Sequence, residues 1–241
     1  MNYNDYKELL TSAFEKSGYN DLITNNVAEK LYRFSNLLVE TNKQFNLTAI
    51  TDEKEIILKH FVDCASITAH IPADSTLVDV GCGAGFPSIP VAILRPDVKV
   101  TALDSTQKRI DFVNFAAKEL DLANINGVCA RAEDFAATHR EVFDICTSRA
   151  VARLNILSEL CIPLIKQDGA FIAMKSVKGD EEYAEAAKGI DKLGCLLTLN
   201  QRDSFSFETV NTERILLIFK KERATPKEFP RRYAQIIKKP L

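Results

Sequence analysis

The chain has 241 residues, of which 46% are apolar and 27% charged, and its 31 basic and 33 acidic side chains leave a net charge of -2. That length suits one large domain or two small ones and buries a sizeable core without staples. The composition excludes a disordered, collagenous or coiled-coil chain, and the balanced charge excludes a globally basic nucleic-acid binder, though not a local basic patch.

Residues 1–72 read as helical. Tyr6, Leu9, Leu10, Ala13 and Phe14 share one helical face, and Gly18 ends that run. A second helix is predicted over residues 25–41, with Val27, Leu31, Phe34, Leu37 and Leu38 inward. Asp52 followed by Glu55 forms a capping box that opens a third helix along Ile56, Ile57, His60, Phe61 and Cys64. His60, alone on a mostly apolar helix, reads as a buried histidine.

After Pro72 the texture becomes alternating β and α. Strands are predicted at 76–80, 98–104, 125–129, 142–147 and 169–174, with helices at 86–94, 106–120, 154–165 and 180–193. Ser105 or Thr106 is the expected cap of the 106–120 helix. Apolar runs at 195–199 and 214–220 have no long helix between them, so they close the sheet as an antiparallel hairpin. The pattern predicts an α/β fold with an open, mostly parallel sheet and right-handed crossovers. The expected organisation is a helical extension at 1–72, a core at 73–221 and a basic tail at 222–241.

That tail stands out. Residues 220–241 hold eight basic and two acidic side chains, a balance of +6 against -8 for the remainder. The asymmetry points to an anionic partner or to a solvated terminus. No apolar run reaches the ~18 residues of a membrane span. The polar N-terminus lacks the apolar stretch of a signal peptide. The six cysteines form no CxxC pair, so no metal site is expected, and they read as small buried hydrophobes of a cytoplasmic protein. No large apolar surface helix demands a dimer, so a monomer is expected.

The chemistry concentrates in DVGCGAGF at residues 79–86, where the first strand turns into a helix. Gly81, Gly83 and Gly85 permit positive φ and close backbone approach to a ligand. The dinucleotide fingerprint wants glycine at the first, third and sixth positions, but the sixth here is Phe86. Asp104 ends the next strand, where a carboxylate can meet a ribose. Asp79 adds a second acid at the strand end. A pyrophosphate disfavours neighbouring carboxylates, whereas the ammonium and sulfonium of S-adenosylmethionine suit them. These residues therefore favour S-adenosylmethionine over NAD; a tight turn without ligand is the plainer alternative. Phe86 reads as pocket floor or as core aromatic. Ala132 and Glu133 follow the third strand and can meet the adenine edge. Arg149, at the end of the fourth strand, can hold a carboxylate or phosphate.

Four motifs in order resemble the bacterial 16S rRNA guanine-N7 methyltransferases, the glucose-inhibited division protein B family. They are NLTAI at 46–50 with KHFVD at 59–63, DVGCGAGFP at 79–87, SRAVA at 148–152, and the basic tail around Pro226, Lys227, Pro230 and Arg231. The tail departs from many relatives at Arg231, Arg232, Tyr233 and Ala234, where they continue with lysine, proline and glycine. The resemblance implies a Rossmann-like methyltransferase sheet and S-adenosylmethionine contacts at Gly81, Phe86, Ala132, Glu133 and Arg149. It also implies that Asp104, Ser105 and Thr106 flank the ribose. The implied substrate is a guanine in the decoding-region loop of 16S ribosomal RNA, met as naked RNA or in the small ribosomal subunit. Guanine N7 has an in-plane lone pair and no proton, so no catalytic base is expected. Arg149, Arg153, Lys175, Lys178, Arg231, Arg232, Lys238 and Lys239 are the candidates for RNA phosphates, and His60, if not simply buried, would line the RNA face. Competing readings are a methyltransferase of another RNA or a small molecule, an NAD-dependent oxidoreductase, and a non-catalytic RNA-binding assembly factor.

Overall fold

A computed structural model describes residues 1–241. The N-terminal helices are α1 (Tyr3–Lys16) and α2 (Asn25–Phe45), started by the side chains of Asn2 and Thr24. Asp52 accepts the amide of Glu55 at 3.0 Å and opens α3 (Glu53–Ile56). The chain then widens into a π-helical turn, Ile57–Val62, before α4 (Asp63–Ala65). The apolar spacing of residues 52–64 predicted one regular helix. The turn is widened instead, and its Lys59 carbonyl accepts from a distant arginine.

The rest is a doubly wound α/β layer. In order come β1 (Thr76–Val80), α5 (Ser88–Leu94), β2 (Lys99–Asp104), α6 (Gln107–Glu119), β3 (Ile125–Cys129) and the short α7 (Ala132–Phe135). Then follow β4 (Phe143–Arg149), α8 (Leu154–Cys161), β5 (Ile165–Lys175) and α9 (Gly179–Lys192). The hairpin β6 (Cys195–Phe207) and β7 (Val210–Lys221) leads to α10 (Tyr233–Lys238). The seven strands lie in the order β3-β2-β1-β4-β5-β7-β6; the first five pair in parallel, while β7 is antiparallel to both β5 and β6.

Parallel strands are buried on both faces, which is why they read as apolar runs. Leu77, Ile145, Ile172 and Leu216 point to the side of α5, whereas Val78, Cys146, Phe171 and Leu217 point to the side of α7, α8 and α9. α1 and α2 join α5 and α6 in one apolar cluster through Leu10, Phe14, Leu31, Phe34 and Phe112.

Two ends differ from the sequence reading. β6 and β7 run beyond 195–199 and 214–220, because their polar alternating continuation is held by pairing across the hairpin and by Phe205 and Phe207 packing on the N-terminal helices. The segment after 222 is docked rather than trailing: Phe229 and Ile236 are buried with α8, and Leu241 packs against Gly189.

Candidate functional site

The ends of β1 and β4 diverge to β2 and β5, and a cleft opens at the carboxyl edge of the sheet, as expected where strand order reverses. Its volume is about 540 Å³, within the usual range for small-molecule sites. The glycine turn forms its floor. Gly81 and Cys82 donate to the Leu103 carbonyl at 2.7 and 3.0 Å, which ties the turn to the end of β2. Gly81 has φ +75° and a Cβ there would lie 2.4 Å from Val151 Cγ2. Gly83 has φ +56° and faces open space, a bare backbone presented to the cleft.

Most of the residues expected from sequence surround this space. Gly81, Gly83, Phe86, Asp104, Ser105, Ala132, Glu133 and Arg149 all line it. Asp104, however, turns its carboxylate inward: Oδ2 accepts the Gly83 amide at 3.0 Å, and Oδ1 accepts the Thr106 amide at 2.9 Å. It holds the loop in shape. Arg109, unremarked in the sequence, lies 3.3 Å from Asp104 and also lines the cleft.

Three expected contacts lie elsewhere. Asp79 is fully buried behind the wall, with Oδ2 accepting from the amide of Ser88 at 3.2 Å and from its hydroxyl, and with Oδ1 unpartnered. Burial pushes its carboxyl up to about 7, against the lowering effect of the Ser88 hydrogen bonds. It therefore offers no exposed acid to a cationic ligand. Gly85 is a packing glycine, since a Cβ there would lie 2.5 Å from Ile89. Thr106 caps the start of α6 outside the cleft, without a side-chain hydrogen bond.

Arg149 is held in a buried network. Its Nη1 donates to Asp63 Oδ2 at 3.0 Å and to the Lys59 carbonyl at 3.2 Å, and its Nη2 to His60 Nδ1 at 3.2 Å. Arg214 Nε lies 3.1 Å from the other Asp63 oxygen. The Arg149 guanidinium sits 5.0 Å from the Phe86 ring centroid, and the His60 ring stacks on the same ring at 4.3 Å. Phe86 is thus wall and core at once, since its other side meets Phe34 at 5.3 Å. Burial, then the neighbouring Arg149 charge, drives the His60 imidazole down to about 3. His60 Nδ1 also lies 3.1 Å from the Lys59 carbonyl, and its Nε2 lies 3.4 Å from Thr48 Oγ1.

A second cleft of about 440 Å³ adjoins the first and shares His60, Arg149, Ala150 and Val151 with it. Among the expected phosphate contacts, Arg153 is exposed at its rim and paired with Glu185. Lys175 is not available: it is buried, with Nζ donating to the Ala152 carbonyl at 2.8 Å and paired with Glu182 at 2.7 Å. Lys178 is exposed at the start of α9. Arg231 is likewise engaged, its amide and guanidinium on the fully buried Glu159. Arg232, Lys238 and Lys239 are exposed. Lys221, counted in the basic tail, is buried against the Ile162 and Ile165 carbonyls and Glu141.

A seven-stranded sheet of this order, with a glycine cradle and an acid-tethered loop at the carboxyl edge, is the architecture of Rossmann-like methyltransferases. Among solved structures, the fold resembles the YcgJ protein from Bacillus subtilis, with a TM-score of 0.53 at 13% identity over 68% of this chain and 100% of that one. It also resembles TYW2 from M. jannaschii, solved in complex with AdoMet, with a TM-score of 0.51 at 16% identity over 65% of this chain and 74% of the other.

Sequence relatives are much nearer. The profile of rRNA small subunit methyltransferase G matches residues 27–200. Ribosomal RNA small subunit methyltransferase G of Staphylococcus haemolyticus is 45% identical over 236 residues, covering 95% of this chain and 96% of the relative. That of Lysinibacillus sphaericus is 47% identical over 204 residues, covering 83% and 85%. The chain belongs to the rRNA small subunit methyltransferase G family. It is a methyltransferase, and its cofactor is S-adenosylmethionine.

Proposed function

We propose that the 540 Å³ cleft holds the cofactor and that the adjoining cleft receives the target base, a guanine of the decoding-region loop of 16S ribosomal RNA methylated at N7. The observation that carries this reading is the shared wall: His60, Arg149, Ala150 and Val151 border both spaces. A ligand in one and a base in the other would meet over Arg149.

The residues fit the cofactor. Gly83 offers bare backbone, Gly81 makes the turn against Val151, Asp104 fixes that turn and the exposed Ser105 lines the cleft. Ala132 and Glu133, which follow β3, line the part of the wall that an adenine would meet. When bound, S-adenosylmethionine supplies an electrophilic methyl group on a sulfonium. Guanine N7 attacks with a lone pair and releases no proton, so the protein needs to position rather than to deprotonate. The site agrees with that: His60 is buried, and its Nδ1 is enclosed by Arg149 and the Lys59 carbonyl rather than open to a substrate. The product base is cationic, and the carboxylate nearest this wall is Asp63, which is shared between Arg149 and Arg214. Exposed Arg232, Lys238, Lys239, Lys178 and Arg153 are the remaining candidates for RNA phosphates.

The test is methyl transfer to purified 16S rRNA and to isolated small subunits, followed by mass mapping of methylguanines. A single new N7-methylguanine in the decoding-region loop supports the reading. Methylation only at another position or atom refutes it.

A further inference from the structure

Nearly the whole wall of the first cleft comes from residues 47–160, ahead of β5. One residue from beyond the sheet joins it: Tyr233, the first residue of α10. It reaches the cleft because the C-terminal segment is fixed against α8. Arg231 holds the fully buried Glu159 through three nitrogens, with its amide and Nε each 2.8 Å from Oε1. Ile236 is fully buried one turn further on, and Phe229 is buried two residues before Arg231. Arg140 adds bonds to the carbonyls of Thr225, Pro226 and Phe229, including one of 3.0 Å to Pro226. The segment therefore has one defined position, and Tyr233 is set within it rather than swinging free.

Tyr233 itself is left with little to do for the fold. It is 37% exposed, makes no aromatic pair and has no hydrogen bond through its hydroxyl. A large ring held at a cleft wall and only partly covered is a surface awaiting a flat partner. α10 packs on α8, which brings Leu160 to the same cleft, and α7 packs on α8 as well, following Ala130, Arg131, Ala132 and Glu133 of the cleft wall. The glycine turn follows β1 and Arg149 ends β4, the two central strands, whereas β3 lies two strands outward at the sheet edge. In a Rossmann-like sheet the ribose meets the end of the second strand, so a base continuing outward from the switch point would reach the loop after β3, the next strand.

We infer that Tyr233 closes the adenosine end of the cofactor cleft by covering the face or edge of the purine. This rests on the assignment of that cleft to the cofactor. It gives the C-terminal segment a role distinct from RNA contact. Cofactor binding and docking of the basic segment are then coupled, and each strengthens the other by the same factor.

The experiment uses the full-length protein with two probes, S-adenosylhomocysteine and 5′-methylthioadenosine, and titration calorimetry without RNA. Both carry the adenosine, and only the first carries the amino acid. Tyr233→Ala should weaken both by a similar factor, about fivefold or more, the scale of one base–aromatic contact. Tyr233→Phe should bind both within twofold of wild type, because the ring and not the hydroxyl is invoked. The melting temperature of the ligand-free protein should be the same in all three, which separates a missing wall from a damaged fold. Wild-type binding of both probes with unchanged affinity in Tyr233→Ala would overturn the inference alone. A loss confined to S-adenosylhomocysteine would also overturn it, by placing Tyr233 at the amino-acid end. Failure of the wild type to bind either probe would instead overturn the cleft assignment, and this inference with it.

Discussion

Replacing Asp63 by asparagine tests the centre of the site. Asp63 is fully buried, and its two oxygens face Arg149 at 3.0 Å and Arg214 at 3.1 Å. Asparagine keeps the shape but removes the only carboxylate paired with Arg149. Arg214 is partly exposed and can turn to water; Arg149 is enclosed by Phe86, His60 and the Lys59 carbonyl and cannot do so freely. Removing one partner of a buried pair costs about 3–5 kcal/mol because the other charge is left uncompensated. The neutral amide oxygen still accepts one bond, so the lower figure applies, about 3 kcal/mol. For a domain of this size that corresponds to a fall in melting temperature of about 6–12 °C. Calorimetric melting gives the fall directly, and titration with S-adenosylhomocysteine should show weaker binding as Arg149 loses its anchor. A melting temperature within about 2 °C of wild type, below the scale of one kcal/mol, would show that Phe86 and the Lys59 carbonyl hold Arg149 without Asp63.

Five further outcomes are expected. Gly81→Val should abolish detectable S-adenosylhomocysteine binding and cost about 1–2 kcal/mol of stability, because its φ is +75° and its Cβ would strike Val151; calorimetry and urea melts read the two effects. Asp79→Asn should gain stability relative to wild type as pH rises from 5 to 8. The folded-state carboxyl titrates near 7 rather than 3.8, so its ionisation opposes folding within that window, and a stability difference equal at both pH values in urea melts would contradict this. Neutralising Arg232, Lys238 and Lys239 together should flatten the log–log salt dependence of RNA binding by up to about 2.1, at about 0.7 per single-stranded phosphate contact. By contrast, Arg231→Ala should destabilise the fold by about 3 kcal/mol through the stranded Glu159, as followed by thermal melting. Saturation with S-adenosylhomocysteine at a hundred times its Kd should stabilise the wild type by about 2.7 kcal/mol, and NAD at the same concentration much less.

The sequence alone determined what depends on local patterning. β1 and β3 begin and end where their apolar runs do, and the Asp52–Glu55 cap and the DVGCGAGF turn form as their residue types require. The motifs that resemble the methyltransferase family occur in order along the chain, so fold class, cofactor and family were all readable before any coordinate. Even much of the cleft was readable, because Gly81, Phe86, Ala132, Glu133 and Arg149 each follow directly from the end of a parallel strand. Tertiary structure decided where side chains turn and what they meet. Asp79 and Asp104 look alike as acids at strand ends, yet one is sealed behind the wall and the other spends both oxygens on backbone amides. Lys175, Lys221 and Arg231 count as free positive charge in any sum over the sequence, but each is neutralised by an acid at least seven residues away, respectively Glu182, Glu141 and Glu159. The joining of Asp63 to Arg149 across 86 residues, and of Tyr233 to a wall built by residues 47–160, has no periodic signal. Burial and long-range pairing are properties of the folded chain, since the free energy of a charge depends on the partners and solvent that folding leaves it.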